Sequence, residues 1–301
     1  MAAWRNHAHC HNSQYKAVVV KVVLVYNTGS GGHASLRELK QFFKDAAIEV
    51  TNHIKVEQGF EAKLKPHITN KAIIAVVGGD GTMSNVTNLL KNTGAVLMPI
   101  PGGTLNHFTK DLGIPQSIPD ALQYFKSAPK TKVDIAQIDD KAFINNSSIG
   151  VYSDSLFERE AHEKRLGKWP AMIIATAKAL VRYRTYTVTI NGKEYSAPLI
   201  FIGNNKYTLH GLIFQRSTLT DGTLSVYIVR GKSRLTLFSS FLSLLRGQKT
   251  LPRKLKFFTT KEVTISTKRA LRVSRDGEYE KLSSPLHYKI QELSLNILQK
   301  Q

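Results

Sequence analysis

The stretch KAIIAVVGGDGT, residues 71–82, joins an apolar run to a glycine-rich turn that contains one acidic residue. Residues 71–77 are almost continuously apolar and rich in β-branched side chains, which predicts a strand buried on both faces, as in a parallel sheet. Residues 83–92 continue with a helical pattern, so we predict a strand, a turn and a helix in this order. The turn consists of Gly78, Gly79, Asp80, Gly81 and Thr82.

The same order of elements recurs on both sides of this stretch. Residues 17–26 predict a buried strand that ends in the glycine-rich turn 27–32, and residues 35–43 then have apolar positions at helical spacing. Residues 95–99 predict a third strand, followed by Pro101-Gly102-Gly103-Thr104. This alternation continues to about residue 130 and indicates a parallel sheet covered by helices.

Three glycine-rich turns are thus expected at the carboxyl edge of one parallel sheet, where ligands bind in such folds. Glycine lets the backbone approach a phosphate closely, and a following helix N-terminus favours negative charge. The three turns together predict a polyphosphate site. Within them, Asp80 could reach a Mg²⁺ that bridges phosphate oxygens or could polarise a reacting hydroxyl; the alternative role is to cap the following helix.

The second half of the chain has a different pattern. Short strand-like segments with turn signals between them indicate an antiparallel sandwich or barrel, and 169–184 and 234–247 are helical in pattern. We therefore predict a tail (1–15), an α/β nucleotide-binding domain (16–140) and a β-rich domain (141–301), whose last residues could return to the first domain. The segments are 133–139, 142–146, 186–191, 198–203, 223–230, 262–267, 270–275 and 286–290.

Charge narrows the class of partner. The 42 Lys and Arg residues exceed the 22 Asp and Glu residues, giving a formal net charge of +20, which favours an anionic membrane surface or nucleic acid. No basic motif with interleaved aromatic residues predicts nucleic-acid binding.

Residues 232–249 would form an amphipathic helix that lies on anionic lipid or packs on the β-rich domain. No apolar run reaches the roughly 20 residues of a spanning helix, and the single cysteine, Cys10, forms no internal disulfide, so we expect a cytoplasmic, peripherally membrane-associated protein.

Two other nucleotide-binding motifs fit the sequence poorly. Gly29, Gly31 and Ala34 match the loose dinucleotide pattern G-x-G-x-x-A, with Glu49 as a candidate ribose ligand. That pattern gives no role to residues 78–82. The P-loop pattern G-x-x-x-x-G-K-[ST] is absent from the sequence.

Five blocks resemble the diacylglycerol-kinase and sphingosine-kinase family of lipid kinases, which shares its glycine-rich turn with NAD kinases. Their order and rough spacing agree over about residues 18–290. The blocks are Gly78 to Thr82; Pro101 to Phe108 followed by Leu112 to Pro115; Asn145 to Gly150; Asp221 to Leu224; and Asp276-Gly277-Glu278. One departure is His107, where the family usually has an acid.

The resemblance implies roles for individual residues. It implies that Asp80 lies at the phosphates and the catalytic metal, and that Asp276 is the general base, with Glu278 as the second choice. It also implies a structural Mg²⁺ site at Asp221 with backbone carbonyls near Thr218 and Thr223, although the Asp-Gly pairs at 221 and 276 equally predict hairpin turns. By resemblance, ATP would be held by Asn27, Thr28, Gly29, Ser30, Gly31, Gly78, Gly79, Asp80, Gly81, Thr82, Asn85, Thr104 and Asn106.

The expected activity is therefore an ATP- and Mg²⁺-dependent transfer of a phosphoryl group to the hydroxyl of a membrane lipid that resembles diacylglycerol. A sphingoid base or NAD remains open as the acceptor, and so does a homodimer. A non-catalytic regulator that binds nucleotide or membrane through the same fold is a further alternative. The presence of Asp80, Thr82, Asn106 and Asp276 disfavours the regulator.

Overall fold

The computed structural model describes residues 20–27, 34–150, 153, 185–210, 213–216, 218–230 and 255–300. The described residues leave out four expected segments: the tail 1–15, the turn residues 28–33 and the two longer segments expected to be helical, 169–184 and 234–247.

The first domain is built on parallel strands, as the apolar runs predict. Strand β1 pairs with both β2 and β3, and β3 pairs with β4, all in parallel. Their burial on both faces explains the continuous apolar runs of β1, β3 and β4. The bounds are β1 Val20–Tyr26, β2 Ile48–Lys55, β3 Ile73–Gly78 and β4 Val96–Pro101.

Helices connect these strands and cover the sheet. Helix α1 begins with a capping box, in which Ser35 and Glu38 each accept a hydrogen bond from the other residue's backbone N–H. Helix α3 begins at Asp80, three residues earlier than the sequence pattern predicts, because the turn passes directly into the helix. The bounds are α1 Leu36–Asp45, α2 Phe60–Leu64, α3 Asp80–Leu90, α4 His107–Asp111 and α5 Ile118–Phe125, with a 3₁₀ turn at Lys65–His67.

The second half is β-rich, as expected. Its main sheet in the described residues has the order β14-β13-β10-β7-β16-β17 and is antiparallel. The bounds are β5 Lys130–Ile138, β6 Lys141–Phe143, β7 Asn146–Gly150, β8 Tyr186–Ile190, β9 Lys193–Ala197, β10 Leu199–Asn204, β11 Tyr207–His210, β12 Ile213–Arg216, β13 Leu224–Val229, β14 Leu255–Thr260, β15 Glu262–Ser266, β16 Leu271–Arg275, β17 Glu278–Leu282 and β18 Leu286–Leu298.

The final strand connects the two halves of the molecule. β18 runs parallel to β4 at Asn296 and Ile297, and its residues 288–291 and 295–298 pair antiparallel with β5. Its first half also pairs with β15, which continues through β8 to β9. The sheet of the first domain is thereby extended by β18, β15, β8 and β9 from the second half of the chain.

The expected strand over 142–146 is wrong in one respect. The structure has two short strands there, β6 and β7, separated by Ile144 and Asn145. The backbone N–H groups of both residues donate to the Asp276 carboxylate instead of to a neighbouring strand. A side chain distant in sequence therefore replaces the strand pairing, which a local pattern does not reveal.

Candidate active site

Two of the predicted turns are packed against each other. Because β3 and β4 are neighbours in register, the turns 78–82 and 101–106 leave the sheet side by side, and the Gly102 N–H donates to the Gly78 carbonyl at 3.0 Å. A Cβ atom on Gly103 would lie 2.4 Å from the Gly79 Cα atom. Only glycine permits this approach of one backbone to the other.

Asn27 connects the end of β1 to the same place. Its backbone N–H donates to the Val77 carbonyl at 3.0 Å, and its Nδ2 donates to Thr82 Oγ1 at 3.1 Å. The predicted partners Thr28, Gly29, Ser30 and Gly31 lie outside the described residues.

Asp80 does not cap its own helix. Gly79 is the N-cap of α3 and makes no side-chain capping bond, whereas the Asp80 carboxylate accepts from the first two amides of α4, those of His107 (3.0 Å) and Phe108 (2.9 Å). Oδ1 also accepts from Asn145 Nδ2 at 3.0 Å. Half-buried Asp80 thus joins α3, α4 and the β6–β7 connection.

Asp276 contacts the backbone of Asn145, whose side chain contacts Asp80. It follows β16 with a positive φ of 48° and accepts three backbone N–H groups, from Ile144 (2.8 Å), Asn145 (2.8 Å) and Asn146 (3.1 Å). Only 8% of the residue is exposed. Burial raises the pKa of Asp276 to about 6, against the lowering effect of its hydrogen bonds, and the Asp80 charge adds to the rise.

Glu278 is placed differently from Asp276. Glu278 is the first residue of β17 and is exposed. It lies against the turn 78–82, since a Cβ atom on Gly81 would be 2.6 Å from Glu278 Oε1. The two carboxyl groups of the Asp276 block therefore both lie near the first domain, one buried under Asn145 and one open to solvent beside Gly81.

The other predicted nucleotide ligands line the same edge. Asn106 has a left-handed backbone, with φ 52°, and its Oδ1 accepts the Gly103 N–H at 2.9 Å. Thr104 is exposed on this turn, and Asn85 is half-buried on α3. Asn106 thus holds the turn 101–106 in shape, while Thr104 is an exposed residue of the same turn.

The predicted metal ligands of the second site form a separate loop. Asp221 accepts the Lys206 N–H at 3.1 Å and donates its own N–H to Asn205 Oδ1 at 2.9 Å. Thr218 bonds Thr220 at 2.8 Å, and Thr223 is half-buried. None of the hydrogen bonds described for this loop runs to Asp80 or Asp276.

The donor set of this loop would offer a cation one carboxylate and neutral oxygen atoms. Asp221 is its one carboxylate, and Mg²⁺ prefers oxygen ligands with near-octahedral geometry. Across the described ranges, no group of three His, Cys, Asp or Glu side chains is placed to hold a metal ion. Asp80 supplies one carboxylate beside the glycine turns, which suits a cation held mainly by substrate phosphates.

Three residues of the site were missed as functional residues. Asn145 is the first residue of the block Asn145 to Gly150, and this position is the only feature of the sequence that indicates a function for it. Asp111 and Arg216 form an ion pair at 2.5 Å, and Arg216 also bonds Asn145. Their separation in sequence hides the contact, since nothing near either residue indicates a partner.

Comparison with known proteins now assigns the family. Residues 21–138 match the model of the diacylglycerol kinase catalytic domain, and residues 148–299 match that of the YegS C-terminal NAD kinase beta sandwich-like domain. The chain belongs to the diacylglycerol kinase family of lipid kinases. Both the predicted family and the predicted order of an α/β domain and a β-rich domain are confirmed.

Individual members of the diacylglycerol kinase family show the extent of the likeness. Diacylglycerol kinases of Staphylococcus aureus, from strains bovine RF122 / ET3-1 and Newman, are each 28% identical over 270 residues, which cover 85% of this chain and 85% of theirs. A crystal structure of a diacylglycerol kinase from Bacillus anthracis str. Sterne has a TM-score of 0.67 at 22% identity, covering 95% of this chain and 98% of that one. That structure supports the fold.

Family membership indicates a kinase, and such an enzyme uses a nucleotide and usually a divalent metal. In the described part of the chain, no helix has the length and apolar character needed to cross a bilayer.

Proposed function

We propose that this protein is an ATP-dependent kinase that transfers the γ-phosphoryl group to the hydroxyl of a diacylglycerol-like lipid. The observation that carries the proposal is the meeting of both domains at Asn145. Its side chain donates to Asp80 in the glycine turn, and its backbone N–H donates to Asp276. The turn that we propose to bind phosphate is thus joined to the Asp276–Glu278 block of the second domain, whose Glu278 carboxylate lies beside Gly81, and this proximity supports phosphoryl transfer.

The glycine turns would bind the triphosphate. Their backbone N–H groups and the α3 N-terminus favour the negative charge of phosphate oxygens. Asp80 is the carboxylate we propose to hold Mg²⁺, which, when bound, neutralises charge on the β- and γ-phosphates. The bonds that Asp80 accepts from α4 and Asn145 keep its carboxylate at this edge.

The general base would accept the proton of the lipid hydroxyl as its oxygen attacks phosphorus and ADP leaves. Family resemblance ranks Asp276 before Glu278, but the geometry supports the opposite order. Asp276 is 8% exposed and already accepts three backbone N–H groups. Exposed Glu278 lies beside Gly81, within reach of a hydroxyl that approaches the turn. We therefore propose Glu278 as the base and Asp276 as the group that shapes residues 144–146.

The lipid acceptor and the membrane surface form part of the same proposal. A net charge of +20 favours an anionic bilayer, on which such a substrate resides. The basic amphipathic segment expected at 232–249 lies outside the described residues and adds nothing structural to this point.

Purified protein would be incubated with labelled ATP, Mg²⁺ and vesicles that contain phosphatidylglycerol with diacylglycerol, a sphingoid base or ceramide; NAD is tested separately in solution. We expect label in the organic phase with diacylglycerol, and none after EDTA treatment. Label on NAD alone, or no transfer with ATP binding retained, would reject the lipid kinase.

Two substitutions test the choice of base. We expect Glu278→Gln to lower kcat by about 10²–10⁴-fold, the usual contribution of a general base, with an unchanged unfolding midpoint. We expect Asp276→Asn, in contrast, to lower the unfolding midpoint, because its amide cannot accept all three backbone N–H groups as the carboxylate does. Full activity in Glu278→Gln would reject its role.

A further inference from the structure

Arg216 is a fully buried cation whose hydrogen-bonding capacity is completely used. Its side chain is 0% exposed. Nε and Nη2 both donate to Asp111 Oδ2, at 2.8 and 2.5 Å, and Nη2 also donates to Asn145 Oδ1 at 2.8 Å. Nη1 donates to the carbonyls of Ile144 (2.6 Å) and Asn204 (3.3 Å). Every nitrogen of the guanidinium therefore has an acceptor.

The ion pair with Asp111 fixes one end of α4. Asp111 is the last residue of this five-residue helix, and Asp80 accepts the amides of its first two residues. The contacts form a closed ring that passes from Asp80 through α4 to Asp111, then to Arg216, Asn145 and back to Asp80. A displacement of Arg216 would therefore displace Asp80 both through Asn145 and through α4.

The guanidinium also determines which way the Asn145 amide faces. Arginine has donors only, so the atom of Asn145 that faces Arg216 must be Oδ1. Nδ2 is then directed at Asp80 Oδ1, 3.0 Å away. With the amide reversed, Nδ2 would face a cation and Oδ1 would face a carboxylate, and both contacts would be repulsive.

We propose that Arg216 is a positioning residue for the Asp80 carboxylate, acting through Asn145 and α4. This inference rests on the proposed function, because it assigns Asp80 to the reaction. A buried ion pair commonly adds little stability compared with apolar residues of equal volume, so stability alone explains Arg216 poorly. Lysine would retain the charge but lacks the planar fork that reaches Asp111, Asn145 and two carbonyls together.

The kinetic test compares Arg216→Lys with Val188→Ala. Val188 is a buried β8 residue outside the ring, and its truncation controls for loss of stability. We expect Arg216→Lys to lower kcat by about 10²-fold, as small misplacement of a reacting group does, with KM for MgATP within about threefold. Equal kcat in the two variants at equal unfolding midpoints would overturn the proposal.

A double substitution separates positioning from general damage. If Arg216 acts through Asn145, adding Arg216→Lys to Asn145→Leu should lower kcat by less than it does alone. Multiplicative losses would overturn the route through Asn145. Should Arg216→Lys fail to fold, Asp111→Asn keeps the acceptor oxygen while removing the charge, and we expect a smaller loss of kcat with the same KM.

A spectroscopic measurement needs no acceptor lipid. In wild-type protein we expect the Asn145 side-chain N–H signals, assigned by their absence in Asn145→Leu, to be protected from hydrogen exchange. Arg216→Lys should accelerate their exchange and that of the Phe108 amide by more than Val188→Ala does at an equal loss of unfolding free energy, and equal acceleration in the two variants would overturn the proposal. Unchanged protection in Arg216→Lys would overturn the proposal. Accelerated exchange in a protein that phosphorylates no lipid would reject the proposed function and support the positioning role.

Discussion

Two glycines of the site differ in what a methyl group would meet. A Cβ atom on Gly81 would contact the movable Glu278 carboxylate, whereas one on Gly103 would lie 2.4 Å from backbone at Gly79. We expect Gly81→Ala to retain the fold and lose at least tenfold in kcat, because Glu278 must move. We expect Gly103→Ala to lower the unfolding midpoint markedly, because two turns must separate. Calorimetry and lipid phosphorylation measure both effects; a folded, fully active Gly103→Ala protein would contradict this geometry.

The buried Asp276 carboxyl should make stability depend on pH. Its pKa of about 6 in the fold exceeds its ordinary value of 3.8, so the folded state binds the proton more tightly. Between these values the free energy of unfolding should fall as pH rises, by about 1.4 kcal/mol for each unit of pKa shift, and then level off.

Urea unfolding of wild-type protein and Asp276→Asn at pH 4, 5, 6 and 7.5 isolates this effect of Asp276. The stability of the wild type relative to the variant should decline up to about pH 6 and remain constant above it. A relative stability that rises with pH would show that the hydrogen bonds from residues 144–146 outweigh burial.

At the scale of elements, Asp134 holds three segments together. Its carboxylate accepts the Gly222 N–H at 2.7 Å, in the Asp221 loop, and the Leu293 N–H at 2.8 Å, where β18 is irregular. We expect Asp134→Ala to destabilise the protein by about 1–3 kcal/mol for each amide left without an acceptor. The control Asp45→Ala removes an exposed carboxylate at the end of α1 and should change stability by less than about 0.5 kcal/mol. Equal effects in urea unfolding would contradict the role of Asp134.

The sequence predicts elements where local chemistry determines them. Apolar runs identify β1, β3 and β4, and glycine turns mark their carboxyl ends, so the edge that carries Asp80 could be located from the sequence alone. Strand β2 was missed because only its first and seventh residues, Ile48 and Ile54, are buried. Its polar positions face solvent and weaken the apolar pattern.

The remainder of the site depends on contacts between distant residues. The bonds of Asp276 to residues 144–146 span about 130 positions, and those of Arg216 to Asp111 span 105. A local pattern assigns such residues only to a strand or a turn. Block resemblance brought Asp80 and Asp276 into one site, but it left open which carboxyl is accessible, and burial now distinguishes them.

At the scale of the whole molecule, two strands belong to both hydrophobic cores. β5 contributes Val133 and Ile135 to the core of the first domain and Ile138 to that of the second. β18 does the same with Leu295 and Tyr288. Because both strands continue through the two cores, one core cannot unfold without disrupting strands that support the other.

We therefore expect both halves to unfold in one cooperative transition. Leu24→Ala in β1 and Ile202→Ala in β10 each truncate a fully buried side chain, one in each core, and should cost about 2–5 kcal/mol. Under conditions where exchange reports equilibrium opening, hydrogen exchange of peptides from β3 and β13 measures the stability of each half. Each substitution should lower the opening free energy of both peptides equally. Two independent domains would respond only in the half that carries the substitution, and this outcome would show that β5 and β18 do not couple the cores.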